Sequence, residues 1–117
     1  MVKSRQTISI PNKIKVGSTD IFVRLYDNLV NIANDEGSYD ETKQTILIDK
    51  EIAERNNSYS VLVVMHEVSH VVYNQHLLKE ATEEVVVNAF SHSFTGILKE
   101  NPQLLDWINK CLKIMLS

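Results

Sequence analysis

The sequence predicts an α+β domain, with a small antiparallel β-sheet in the first half and helices in the second. Three observations carry this. Short alternating apolar and polar segments, separated by turn residues, fill the stretch up to residue 48. After residue 57 come long segments free of proline and almost free of glycine, apolar at helical spacing. The whole chain, 117 residues, is the size of one ordinary domain, so 1–117 is expected to share a single core.

In chain order, Thr7-Ile8-Ser9-Ile10 alternates, Pro11-Asn12 punctuates, and Lys13-Ile14-Lys15-Val16 alternates again. Gly17-Ser18-Thr19-Asp20 is turn chemistry, and Ile21 to Tyr26 is expected to return as a strand. Asn28 to Ala33 fits a helix or a loop. Asn34 to Ser38 is expected as a loop, and Thr45-Ile46-Leu47-Ile48 as a short buried strand. Asn56-Asn57-Ser58 offers an N-cap for a helix to about Gln75, apolar on nearly every face and therefore expected to be buried. His76 to Ala81 connects. Thr82 caps a second helix to about Lys99, with Glu83 and Glu84 in its first turn. Asn101-Pro102 restarts the chain into a last helix. Its apolar side is Leu104, Leu105, Ile108, Cys111, Leu112 and Met115.

Composition removes several function classes. The net charge is −3 and no basic block stands out, so no electrostatic footprint for nucleic acid is present. No apolar run approaches the ~20 residues of a membrane span, and the N-terminal Met-Val-Lys-Ser-Arg-Gln lacks a signal-peptide stretch. Cys111 is the only cysteine, which rules out an internal disulfide and a cysteine-based zinc knuckle. A cytoplasmic protein is expected.

The chemistry concentrates in His66-Glu67-Val68-Ser69-His70. Two histidines four apart on a helix share a face and can share one ion, zinc by ligand type. Glu67 sits where a carboxylate can reach a metal-bound water. Zinc lowers the pKa of such a water toward ~7, the carboxylate takes its proton, and the acid so formed can protonate a leaving amine. A His-Glu-x-x-His match arises by chance in about one chain in a hundred of this composition, so its context matters. That context is the most apolar segment of the chain, where unpaired polar groups are costly to bury.

Catalytic zinc usually has three protein ligands and one open position. Glu84 is the first candidate for the third. It falls on a stripe with Val87, Ser91, Phe94 and Leu98, which is expected to pack on the helix carrying His66 and His70. Glu83 is its nearest rival. His76 fits the spacing of His-Glu-x-x-His-x-x-Gly-x-x-His, but Tyr73 stands where that pattern has the turn-forming glycine. Asn88, one turn after Glu84, could orient that carboxylate. His92 is expected to pack or lie at the surface, Tyr39 and Tyr73 are possible oxyanion donors, Trp107 should cover the core, and Cys111 should be buried.

From about Gly37 to Trp107 the chain resembles the small zincin-type metallopeptidases of phages and mobile elements, relatives of the ImmA/IrrE family. The resemblance rests on Gly37-Ser38-Tyr39-Asp40 ahead of Thr45 to Ile48, on His66 to Tyr73, on Glu84-Val85-Val86-Val87, and on Lys99 to Trp107. It implies a minimal zincin-like fold in which a short antiparallel sheet flanks the active-site helix. It also implies a gluzincin-like site with His66, His70 and Glu84 as zinc ligands and Glu67 as general base. Val86, Val87 and Asn88 replace the alanine-rich stripe typical after the family's glutamate, so Glu83 and Glu84 both stay open.

Three functions fit the motif. The first is hydrolysis of a peptide bond in a protein or peptide substrate, for which the resemblance suggests a phage or mobile-element regulator. The Thr45 to Ile48 strand is the expected sheet edge for an extended substrate. The second is a non-catalytic interaction module with a structural zinc. The third is hydrolysis of a non-peptide amide. Glu67 separates the first from the second, because a structural site needs no general base.

Overall fold

The computed structural model describes residues 8–33 and 35–113. It is an α+β fold with four strands and five α-helices among the described residues. The strands are β1 (Lys13–Val16), β2 (Thr19–Tyr26), β3 (Gly37–Asp40) and β4 (Thr45–Asp49). The helices are α1 (Leu29–Ala33), α2 (Lys50–Glu54), α3 (Ser58–Gln75), α4 (Glu83–Glu100) and α5 (Pro102–Leu112).

The sheet order is β1-β2-β4-β3. β1 and β2 form an antiparallel hairpin closed by Gly17-Ser18. Gly17 takes φ +64 there, which a tight hairpin loop asks of a glycine. β3 and β4 form a second antiparallel hairpin, whose turn is held by the Asp40 carboxylate accepting from the Thr42 and Lys43 amides. The expected sheet was wholly antiparallel, but it is mixed, because β2 and β4 pair in parallel. After β2 the chain crosses through α1, lays β3 at the far edge and returns as β4 between β3 and β2. Alternation tells which face of a strand is buried, not which strand lies beside it.

Three further expectations are corrected. Residues 8–10 are not in a strand, and Thr7 lies outside the described residues. Gly37 and Ser38, expected in a loop, open β3; Asn34 lies outside the described residues. In α5 the buried residues are Leu104, Trp107 and Cys111, while Leu105 and Leu112 are exposed. Met115 lies outside the described residues. Trp107 reaches the core because its indole N–H finds the Asn56 side-chain oxygen at 2.8 Å, so that burial leaves no polar group unpaired.

The core joins Ile14, Ile21, Ile46 and Ile48 of the sheet to Val64, Val68, Val71 and Val72 of α3. Each such side chain contributes about 1.5–3 kcal/mol relative to an exposed one. α3 starts where expected. The Asn57 side chain accepts from the Ser60 amide, and the Ser60 hydroxyl accepts from the Asn57 amide, a reciprocal cap. Leu77, at φ 50, terminates the helix in left-handed backbone without a glycine. Thr82 caps α4 by accepting from the Val85 amide.

The two sheet edges differ. Along β1 the Asn101 side chain accepts from the Lys15 amide and donates to the Lys15 carbonyl, both at 2.8 Å, so an amide occupies that edge as a strand would. The β3 edge has no neighbouring strand among the described residues, and it lies against α3. No described helix is long and apolar enough to cross a membrane.

Candidate metal centre

α3 is not buried all round as its composition suggests. Ser60, Val63, Val64, Glu67, Val68, Val71 and Val72 face inward. Tyr59, Leu62, His66, His70 and Tyr73, spaced three or four apart, form an exposed stripe. The helix covers the sheet with one side only and leaves the other along a cleft beside β3. The two imidazoles are therefore accessible, and of His66, Glu67 and His70 only Glu67 is buried, at 5% exposure.

His66 and His70 direct their Nε2 atoms at each other across 3.2 Å. That spacing admits one imidazole–imidazole hydrogen bond if a single proton lies between the rings. It equally fits a shared ion. With metal–nitrogen bonds of about 2.0–2.1 Å, nitrogens 3.2 Å apart subtend about 100–106° at the ion, near the tetrahedral angle. One ligand atom from each of His66, Glu67 and His70 lies within 4.8 Å of the other two.

The Glu67 carboxyl is pushed above the usual carboxylate range, chiefly by burial. His70 and His66 pull it down, and Asp35 adds to the rise. No hydrogen bond to its carboxylate occurs among the described residues, yet none of its oxygens is both sealed from the surface and unpartnered. The carboxylate thus opens onto the cleft. Two hollows meet there, sharing Gly37, His66 and Glu67. One, of about 320 Å³, also touches Glu36, Tyr59, Leu62 and Val63. The other, of about 360 Å³, also touches Asp35, Ser38, Tyr39, His70 and Asn74. Each is at the small end of ligand-sized cavities.

Gly37 is what lets β3 come this close. A Cβ built on it would stand 3.2 Å from Glu67 Cγ, Ile48 Cδ1 and Val63 Cγ1. Gly37→Ala is therefore expected to overpack this junction and lower stability by about 1–3 kcal/mol. Urea denaturation checks it; an unchanged midpoint would show that strand and helix have room to part.

Among the described residues, neither Glu84, Glu83 nor His76 joins the cluster of ligand atoms. Glu83 and Glu84 are exposed in the first turn of α4, beside the exposed Val85 and Val87. α4 is anchored instead by its C-terminal half, through buried Ile97 and the Asn101 contacts with β1. His76 Nε2 lies 3.1 Å from Ser93 Oγ. Asn88 and His92 are exposed on α4.

Of the two tyrosines, Tyr39 lines the cleft beside the histidine pair, whereas Tyr73 does not line either hollow. Burial raises the Tyr39 phenol above its ordinary value, with Glu41 and Asp40 adding to the effect, so it stays a neutral donor. Cys111 is buried and its thiol is pushed up by burial, which keeps it unreactive. Sequence reasoning missed Glu36, Tyr59 and Leu62 as cleft residues. Their only signal was the 3–4 spacing of Tyr59 and Leu62 ahead of His66, which is visible once the helix's outer face is known. A scan against protein-family models, a search of curated proteins and a search of solved structures each found no match to this chain.

Proposed function

We propose that this protein is a zinc-dependent metallopeptidase with a zincin-like site. His66 and His70 are its histidine ligands, Glu84 the third ligand and Glu67 the general base. The observation that carries the reading is the convergence of two accessible Nε2 atoms at 3.2 Å beside a carboxylate that is buried and yet open to the cleft. A zinc ion there supplies Lewis-acid chemistry, polarising a carbonyl and acidifying water. Glu67 takes the proton of the attacking water and delivers it to the leaving amine. The Tyr39 hydroxyl and the Asn74 amide line the same hollow, as donors for the oxygen on which charge develops.

The substrate is an extended peptide segment laid along an edge strand by backbone pairing. The expected edge, Thr45 to Ile48, is corrected: β4 is interior, paired on both sides, and cannot accept another strand. β3 is the edge beside α3, and it takes that role here. A phage or mobile-element regulator is the suggested target, on the sequence resemblance alone.

Glu84 stands outside the cluster of ligand atoms formed by His66, Glu67 and His70, so its place as third ligand rests on the sequence resemblance and is decided by metal affinity. Glu84→Gln is therefore expected to weaken zinc affinity more than Glu83→Gln or His76→Ala, in chelator competition monitored with a zinc-sensitive dye. Loss of zinc from His76→Ala with retention in Glu84→Gln would replace the proposed ligand. The experiment for the activity itself is cleavage of peptides by zinc-loaded protein, with Glu67→Gln as the inactive control.

A further inference from the structure

Resting on the peptidase reading, we infer that the cleft selects by charge, and that the hollow beside His66 takes a basic side chain, lysine or arginine, next to the bond to be cut. The walls of that hollow are the Tyr59 ring, Leu62 and Val63, apolar surface on which the methylene stem of a long side chain can lie. Two carboxylates line it, the buried Glu67 and the exposed Glu36, and the Glu36 carboxylate accepts a hydrogen bond from the Tyr59 hydroxyl. That bond fixes the carboxylate in place. A carboxylate has roughly four acceptor positions, so capacity for an ammonium or guanidinium remains.

Among the described residues, no lysine or arginine lines either hollow of the cleft. The second hollow adds Asp35 instead. Arg55 lines a separate hollow that also touches Glu36, and it is already paired with Glu51 at 2.9 Å. Glu67 shows independently that the cleft awaits a ligand. It is 5% exposed, has no hydrogen-bond partner among the described residues, and borders both hollows. An acidic side chain entering there meets Glu36 and Asp35 with like charge. An aliphatic one desolvates Glu36 without replacing its water. A basic one satisfies both walls and carboxylate.

The test uses the zinc-loaded full chain and a randomised peptide library, with cut sites read by mass spectrometry. Lysine and arginine are expected to be enriched beside the cut by about fivefold over methionine, a modest factor because Glu36 is exposed and screened. Glu36→Gln should flatten the preference and Glu36→Lys should turn it toward acidic residues. Tyr59→Phe should reduce it. In parallel, a fluorescent lysine-rich peptide and its glutamate-rich counterpart are titrated into zinc-loaded Glu67→Gln by anisotropy. Cleavage without basic enrichment, or enrichment unchanged in Glu36→Gln, overturns charge selection and leaves the peptidase reading standing. No cleavage, with a basic binding preference that the added Glu36→Gln change removes, overturns the peptidase reading and leaves charge selection standing. Absence of both overturns both.

Discussion

Glu67→Gln is expected to give a folded, zinc-loaded protein that hydrolyses peptides about 10²–10⁴-fold more slowly than wild type. Glutamine matches the glutamate in size and can still hydrogen-bond water, but it cannot accept the proton. Stability should not fall, since the carboxylate is buried without a hydrogen-bond partner among the described residues and a neutral amide is easier to desolvate. Zinc content, thermal unfolding and turnover measured on one preparation separate these effects. A variant that keeps both zinc and full biological effect would remove catalysis from the account and favour the interaction module with a structural zinc.

His66→Ala or His70→Ala is expected to abolish stoichiometric zinc binding, with one zinc per chain in wild type. Loss of a residue that only orients a ligand weakens metal affinity by about 10–100-fold, and loss of a ligand itself should exceed that. The same experiment has a stability readout. Zinc at a thousandfold excess over its dissociation constant stabilises wild type by about 4 kcal/mol, as a rise in melting temperature that either variant should lose. The alanines cost the metal-free fold little, because both imidazoles are exposed and outside the core. Full zinc occupancy in His66→Ala would place the site elsewhere.

Much of this was legible along the chain. Helix limits followed from local chemistry: Asn57 and Thr82 as caps, Pro102 at the start of the last helix. The pairing of His66 with His70 followed from one turn of helix, which brings residues four apart together whatever surrounds them. The hairpin turn at Gly17 and the buried strand at Thr45 to Ile48 were likewise local.

Tertiary structure decided what depends on neighbours distant in sequence. The apolar composition of α3 promised burial on every side, but the sheet and the other helices cover only part of it, leaving the histidines open and Glu67 enclosed. Thr45 to Ile48 carried the right residues for a strand but no mark of its position, and only the parallel pairing with β2 put it inside and left Gly37 to Asp40 as the edge. The approach of Gly37 to Glu67, and of Glu36 to Tyr59, joins segments some twenty to thirty residues apart. The sequence by itself determined that two histidines and an adjacent carboxylate share one stretch of helix, because helical geometry is set by the backbone. Only the packed sheet determined which side of that helix became a cleft and what lines it, because burial depends on what another part of the chain covers.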